Sequence, residues 1–181
     1  MDDPVGRQTA EAPASDGLTP EVLVEIEGIS RLKYAYLRCL DQKDWDGLTD
    51  LFTPDAVAEY SGGNYTYAGR DEIVAFIVRN MSRETFHSSH RVHHPEIDVD
   101  GDDAVGVWAL EDTVVDTEWG IVLFGAAFYR DEYRRIDGRW LISRTAYRRS
   151  FEAMVPTSSV EGFAVTASWW ATDGRSTLPV Q

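Results

Sequence analysis

The sequence holds one cysteine, Cys39, among 181 residues. That excludes an internal disulfide and any zinc cluster built from cysteines. Cys39 falls inside an apolar helical stripe and reads as a small buried residue. Lysine is almost as scarce, with only Lys33 and Lys43. Lysine and arginine together number 17 against 31 acidic residues, a formal net charge of −14. A surface for DNA, RNA or an anionic membrane needs a basic field. Neither nucleic acid nor membrane is therefore expected as a partner. No apolar run approaches the ~20 residues that span a bilayer. The opening stretch MDDPVGRQTAEAPASDG is acidic and has no apolar h-region, so it does not read as a signal peptide. A cytoplasmic location is expected.

What remains is the material of one globular domain. The length allows a real core, and residues 19–171 form the expected single domain between tails at 1–18 and 172–181. Aromatic residues make up 12% of the chain, enough to line a pocket or an interface with rings.

Thr19-Pro20-Glu21 is a helix start: an N-cap, a proline at the first helical position and an acid in the first turn. Ile26, Ile29, Leu32, Tyr36, Leu37 and Leu40 continue it with one buried face. Asp44 can cap a second short helix, Trp45 to Phe52, which Thr53-Pro54-Asp55 would end. Ala56 to Tyr60 and Tyr65 to Tyr67 suit a small hairpin. Ile73, Phe76, Ile77 and Met81 form the buried face of a third helix. From Ser88 the period changes to two. Four long strands are expected, about 89–99, 104–115, 122–135 and 140–151, joined by turns of which Asp137-Gly138 is the plainest hairpin signal. Residues 164–171, with Trp169 and Trp170, suit a strand or helix covering an opening. Three helices before four long strands give an α+β fold with a curved antiparallel sheet. Helices on its concave face make a cone with one mouth, suited to a small apolar molecule.

Asp41 lies on the edge of the first helix's apolar stripe, four residues after Leu37. A carboxylate there is costly unless it is paired. The chain's four histidines lie together at His87, His90, His93 and His94. On a strand, His90 and His94 face one way and His93 the other. One reading is a general base whose tautomer is fixed by a carboxylate. A second is a metal site of His90, His94 and a carboxylate. A third is a strand start with no chemistry. Tyr36 and Tyr60 are candidates to polarise a substrate oxygen, or else core rings with hydroxyls at the rim. Tyr129 and Tyr147 face either the cavity or the outer surface. With Trp108 and Phe124 they complete the candidate pocket lining.

The segments YAYLRCLDQKDWDGLTDLFTPDA, YAGRDEI, the histidine run followed by HPEIDVDGDDA, and FYRDEYRRIDGRWLISR resemble the SnoaL-like branch of the nuclear-transport-factor-2-like superfamily. The resemblance covers about residues 21–149. Within that group the chain looks most like the branch holding scytalone dehydratase, bile-acid 7α-dehydratase and hexachlorocyclohexane dehydrochlorinase. It implies a lyase or isomerase without metal or organic cofactor, acting on a small cyclic apolar molecule such as a steroid or polyketide. Asp41 takes the place of the acidic dyad member, Tyr36 that of the helix tyrosine and Tyr60 that of the first-strand tyrosine. His90 takes the histidine's place, with His87 in reserve. Scytalone dehydratase has a second catalytic histidine on the next strand. The strand AVGVWALEDTVV here has none, which argues against the same substrate. The resemblance also implies a homo-oligomer, trimeric or dimeric. The superfamily's other members leave a binding or assembly module, a polyketide cyclase and an epoxide hydrolase as alternatives.

Overall fold

The computed structural model describes residues 17–179. The expected N-terminal tail therefore lies, through residue 16, outside the described residues. Helix α1 runs Pro20–Gln42, and Thr19 accepts a hydrogen bond from the Val22 amide as its N-cap. It ends at Lys43, whose left-handed conformation turns the chain amide back onto the last carbonyls. Asp44 caps the short helix α2, Trp45–Thr49, through the Gly47 amide.

The second helix stops three residues earlier than its sequence pattern predicts. Phe52 already belongs to strand β1, Phe52–Tyr60, and Thr53-Pro54-Asp55 lies within that strand rather than ending a helix. Proline has no amide to donate. It sits where the ladder is interrupted, between Phe52 and Val57. Strand β2, Tyr65–Ala68, pairs back on β1, and helix α3, Arg70–Met81, follows.

Four long strands complete the chain: β3 Phe86–Asp100, β4 Asp103–Asp116, β5 Ile121–Ile136 and β6 Arg139–Pro156. Each is longer than predicted by a few residues at its ends. Asp137 and Gly138 both have positive φ, the conformation that a two-residue hairpin loop demands and that this dipeptide favours. The sheet order is β2-β1-β6-β5-β4-β3. β1 lies parallel to β6, so the small hairpin joins the main sheet and does not stand apart from it. The result is a curved, unclosed six-stranded sheet with β3 at one edge.

The strand period decides which residues face the helices. On β4 the inward set is Ala104, Trp108, Leu110 and Asp112. On β5 it is Ala127, Tyr129, Asp131 and Tyr133. Ile29, Leu32, Tyr36, Leu37 and Leu40 of α1 pack against this face. Residues 164–171 form neither helix nor strand. Ser168 organises a series of turns there, and Trp170 lies over the Lys43 ammonium, 4.4 Å from its ring centre. Among the described residues no helix is long and apolar enough to cross a membrane.

Candidate active site

Between α1, α3 and the concave face lies a cavity of about 330 Å³. Its walls are mostly rings and aliphatic groups, among them Tyr36, Leu40, Tyr60, Phe76, Leu110, Tyr129 and Tyr147. Three polar side chains besides tyrosine reach the sheet side: His90, Asp112 and Arg149.

Asp41, in the last turn of α1, meets His90 on β3. Oδ1 of Asp41 lies 2.7 Å from His90 Nδ1, and Oδ2 accepts the His90 backbone N–H at 2.8 Å. The Ser88 hydroxyl donates to Oδ1 at 2.9 Å. Burial alone would raise the Asp41 pKa; the hydrogen bonds from the His90 ring and amide and from Ser88, with the imidazole's charge, more than offset it and hold the carboxyl below its usual range. An ionised carboxylate only accepts, so Nδ1 carries the hydrogen and Nε2 is left with its lone pair. Nε2 makes no hydrogen bond among the described residues, and His90 lines the cavity. An imidazole held in this tautomer can accept a proton at Nε2.

The depressed Asp41 pKa has a consequence for stability. Its folded value lies below the unfolded one, so the stabilisation is present above the ordinary carboxylate value of ~3.9 and is lost as pH falls through the folded value. The urea midpoints of the wild type and of Asp41→Asn are expected to differ at neutral pH and to converge as the pH drops below about 4.

Tyr36 and Tyr60 line the cavity beside the dyad. Burial pushes the phenols of Tyr36, Tyr60 and Tyr129 well above the ordinary tyrosine range. They stay protonated and can donate. Among the described residues the buried Tyr60 hydroxyl makes no hydrogen bond of good geometry; it lies close enough to Tyr36 for each phenol to alter the other's ionisation, and its ring stacks on Phe76. An unpaired buried hydroxyl costs stability until a ligand meets it. Tyr60→Phe is therefore expected to leave the thermal midpoint unchanged or raised, and to slow any turnover that draws on its hydroxyl by ~10²–10³-fold, the usual cost of one oxyanion donor. Thermal unfolding and steady-state rates check the two halves separately.

His87 is on β3 too, but with the opposite parity: it lies across from Val115 and does not line the cavity. Burial lowers its pKa, and the nearby Lys43 charge adds to that. The metal alternative also separates, since His94 is exposed and its ring stacks on His93. Among the described residues no three His, Cys, Asp or Glu side chains converge as a metal site would require. Of the four expected lining residues, Tyr129 and Tyr147 reach the cavity, while Trp108 and Phe124 do not. Trp108 is fully buried behind it, donating its indole N–H to the Tyr133 hydroxyl at 2.9 Å. Phe124 is exposed on the convex face. It is five residues from Tyr129 on one strand, and an odd separation puts two residues on opposite faces.

Asp112 and Arg149 escaped the sequence reading. Asp112 lies directly across from His90 in the β3–β4 ladder. Arg149 makes a two-pronged ion pair with it, Nη1–Oδ1 2.6 Å and Nη2–Oδ2 2.7 Å. Arg149 starts two strands away, on β6, and has to pass over β5. Gly125 makes that path. A Cβ built there would lie 3.1 Å from Arg149 Nη1 and 2.8 Å from the Phe151 carbonyl oxygen. Gly125→Val is expected to displace the guanidinium from Asp112 and to cost about 1–3 kcal/mol through overpacking, read from urea unfolding. A signal for Asp112 was present: it is the cross-strand neighbour of His90 once a one-residue bulge at His94-Pro95 is allowed for.

Residues 21–146 match the SnoaL-like domain family. A putative scytalone dehydratase from Novosphingobium aromaticivorans superposes with a TM-score of 0.70 at 22% identity, covering 88% of this chain and 99% of that one. The type 3 hexachlorocyclohexane dehydrochlorinase of Novosphingobium barchaimii gives 0.68 at 20% identity, covering 80% and 96%. A protein of unknown function from Mycobacterium tuberculosis gives 0.63 at 26% identity, covering 76% and 78%. The family match spans most of the ordered sheet and all three helices, and on that ground the chain belongs to the SnoaL-like domain family, with its nuclear-transport-factor-2-like cone fold.

Proposed function

We propose that the chain is an acid-base lyase or isomerase acting on a small cyclic apolar molecule, with a dehydratase-type elimination as the reaction that fits best. The observation that carries this reading is the 2.7 Å Asp41–His90 contact on the wall of an aromatic cavity, with Nε2 of the imidazole left unbonded. Nε2 takes a proton from the carbon next to a carbonyl. The electron pair moves toward the carbonyl oxygen, where Tyr36 and Tyr60 donate hydrogen bonds to the enolate. The bond to a β-hydroxyl then breaks, and the oxygen leaves as water with the proton carried by the imidazolium. Asp41 balances the charge on His90 between the two proton transfers. Arg149, held by Asp112 near the same wall, is placed to bind the departing oxygen. In an isomerase the same proton returns to another carbon instead. A cavity of about 330 Å³ walled mostly by rings and aliphatic groups is in keeping with a small cyclic apolar substrate such as a steroid or polyketide.

Association of copies through the convex face, where Phe124, Phe128 and Phe151 are exposed, belongs to the same reading. The test is a panel of β-hydroxy ring ketones in heavy water, followed by mass spectrometry. Loss of water, or deuterium uptake at the α-carbon, supports the proposal. A chain that binds these ketones yet catalyses neither change is a binding module, and the catalytic reading fails.

A further inference from the structure

Among the described residues the cavity wall carries one permanent cation, Arg149. Its charge is already countered. Asp112 takes one N–H from each terminal nitrogen, at 2.6 and 2.7 Å, and the Asp112 side chain is only 4% exposed. Glu152 Oε2 stands 3.2 Å from Nε, a charge contact rather than an aligned hydrogen bond. Glu152 is half exposed and so is screened by water, which leaves most of the cancellation to Asp112. Burial works against the Arg149 cation, but the Asp112 carboxylate outweighs it and keeps the guanidinium charged.

The pair does not use up the donors. A guanidinium has five N–H groups. Asp112 engages two of them and Nε carries a third, so one hydrogen remains on each terminal nitrogen. The guanidinium lies 5.3 Å from the centre of the Tyr147 ring, and both residues line the cavity. The Tyr147 phenol registers the cancellation: burial raises it, Arg149 lowers it, and Asp112 and Glu152 raise it again. The Tyr129 phenol, raised first by burial, is raised further by Asp131 and by Asp112. Arg149 thus offers hydrogen bonds to the cavity without offering charge. A ketone or hydroxyl oxygen needs only the donor. A carboxylate needs the charge too, because it gives up its water among rings and aliphatic groups. It would also be repelled by Asp112 and by the ionised Asp41 bonded to His90.

We propose that Asp112 sets the ligand charge this cavity takes: by cancelling Arg149 it leaves a neutral donor on the polar wall, which admits uncharged oxygenated rings such as ketones and refuses ring carboxylates of the same size. This rests on the cavity being the substrate site of the elimination reading, and the test needs no turnover. Methyl naphthyl ketone and naphthoate are titrated calorimetrically at neutral pH into the wild type, into Asp112→Asn and into the neutral pair Asp112→Asn/Arg149→Met. The wild type should bind the ketone and hold naphthoate far more weakly. Asp112→Asn bares the cation and should shift the ratio toward naphthoate by ~10–100-fold, the scale of one unpaired charge acting on another across a half-dry site. The neutral pair should return most of that shift. Asp112→Ser, which keeps one acceptor for the guanidinium, takes the place of asparagine if that variant does not fold. A purely structural Asp112 would weaken both ligands together and leave the ratio alone. An unchanged ratio in a folded Asp112 variant overturns the proposal, and so does a wild type that takes naphthoate as readily as the ketone, or takes neither. A ketone preferred but never transformed sinks the elimination reading and leaves the charge selection standing.

Discussion

Asp41→Asn is expected to reduce kcat/KM by ~10²–10⁴-fold, the range of a positioned acid-base group. The substitution is nearly isosteric. An asparagine oxygen can still accept the His90 amide or the Ser88 hydroxyl. It cannot offset the imidazolium that forms when Nε2 takes a proton. Nor can it enforce the tautomer, because an amide also donates, and a donor facing Nδ1 would turn the hydrogen to Nε2. The fold should survive and the base should be lost. His90→Ala should fall as far, and the double variant little further than either single one, because the two residues act as a unit. Steady-state kinetics on any substrate found in the ketone panel decide this. An Asp41→Asn enzyme as fast as the wild type would remove the dyad from the mechanism.

The second large effect is on stability. Lys33→Met is expected to destabilise the fold by about 3–5 kcal/mol, since it strands the buried Asp131 carboxylate, which the Lys33 ammonium meets at 2.6 Å. Methionine fills much of the lysine's volume, so the loss is electrostatic rather than a cavity. Removing the charge of Asp131 as well, as in Lys33→Met/Asp131→Leu, should recover most of it, because buried ion pairs repay their desolvation poorly. Thr145 and Tyr133 would then lose an acceptor, which keeps the recovery incomplete. Urea midpoints of the three proteins measure this. Equal instability of the single and double variants would show that packing, and not charge, is at stake.

These two predictions differ in how far the sequence foretold them. Asp41 was legible because a carboxylate on an apolar stripe asks for a partner and the histidines lie in one run. The choice of His90 over His87 needed a strand register, and register depends on a bulge at Pro95 that periodicity does not show. Lys33 shares the stripe with Leu32 and Tyr36 and looks like a helix lysine at its margin. Only the sheet packed over it shows that it is dry, with Asp131 ninety-eight positions away. Asp112 and Arg149 were hidden for a similar reason. Strand acids and arginines are common, and nothing local says that Gly125 opens a path between them. The helices and hairpins were read well because caps and turns are local. The parallel pairing of β1 with β6 is not local, and the short first strand gave no sign of it.

β3 is the edge strand of the sheet. Among the described residues its outward amides have no neighbouring strand, and bare edges invite pairing with another chain. At His90 the Asp41 carboxylate takes the place of the missing carbonyl. One side chain thus serves both the chemistry and the shielding of the edge. Until α1 docks, the longest unprotected ladder in the molecule stands open, so the order in which helix and sheet come together governs how safely this chain folds. Loss of Asp41 would be felt there before any substrate arrived.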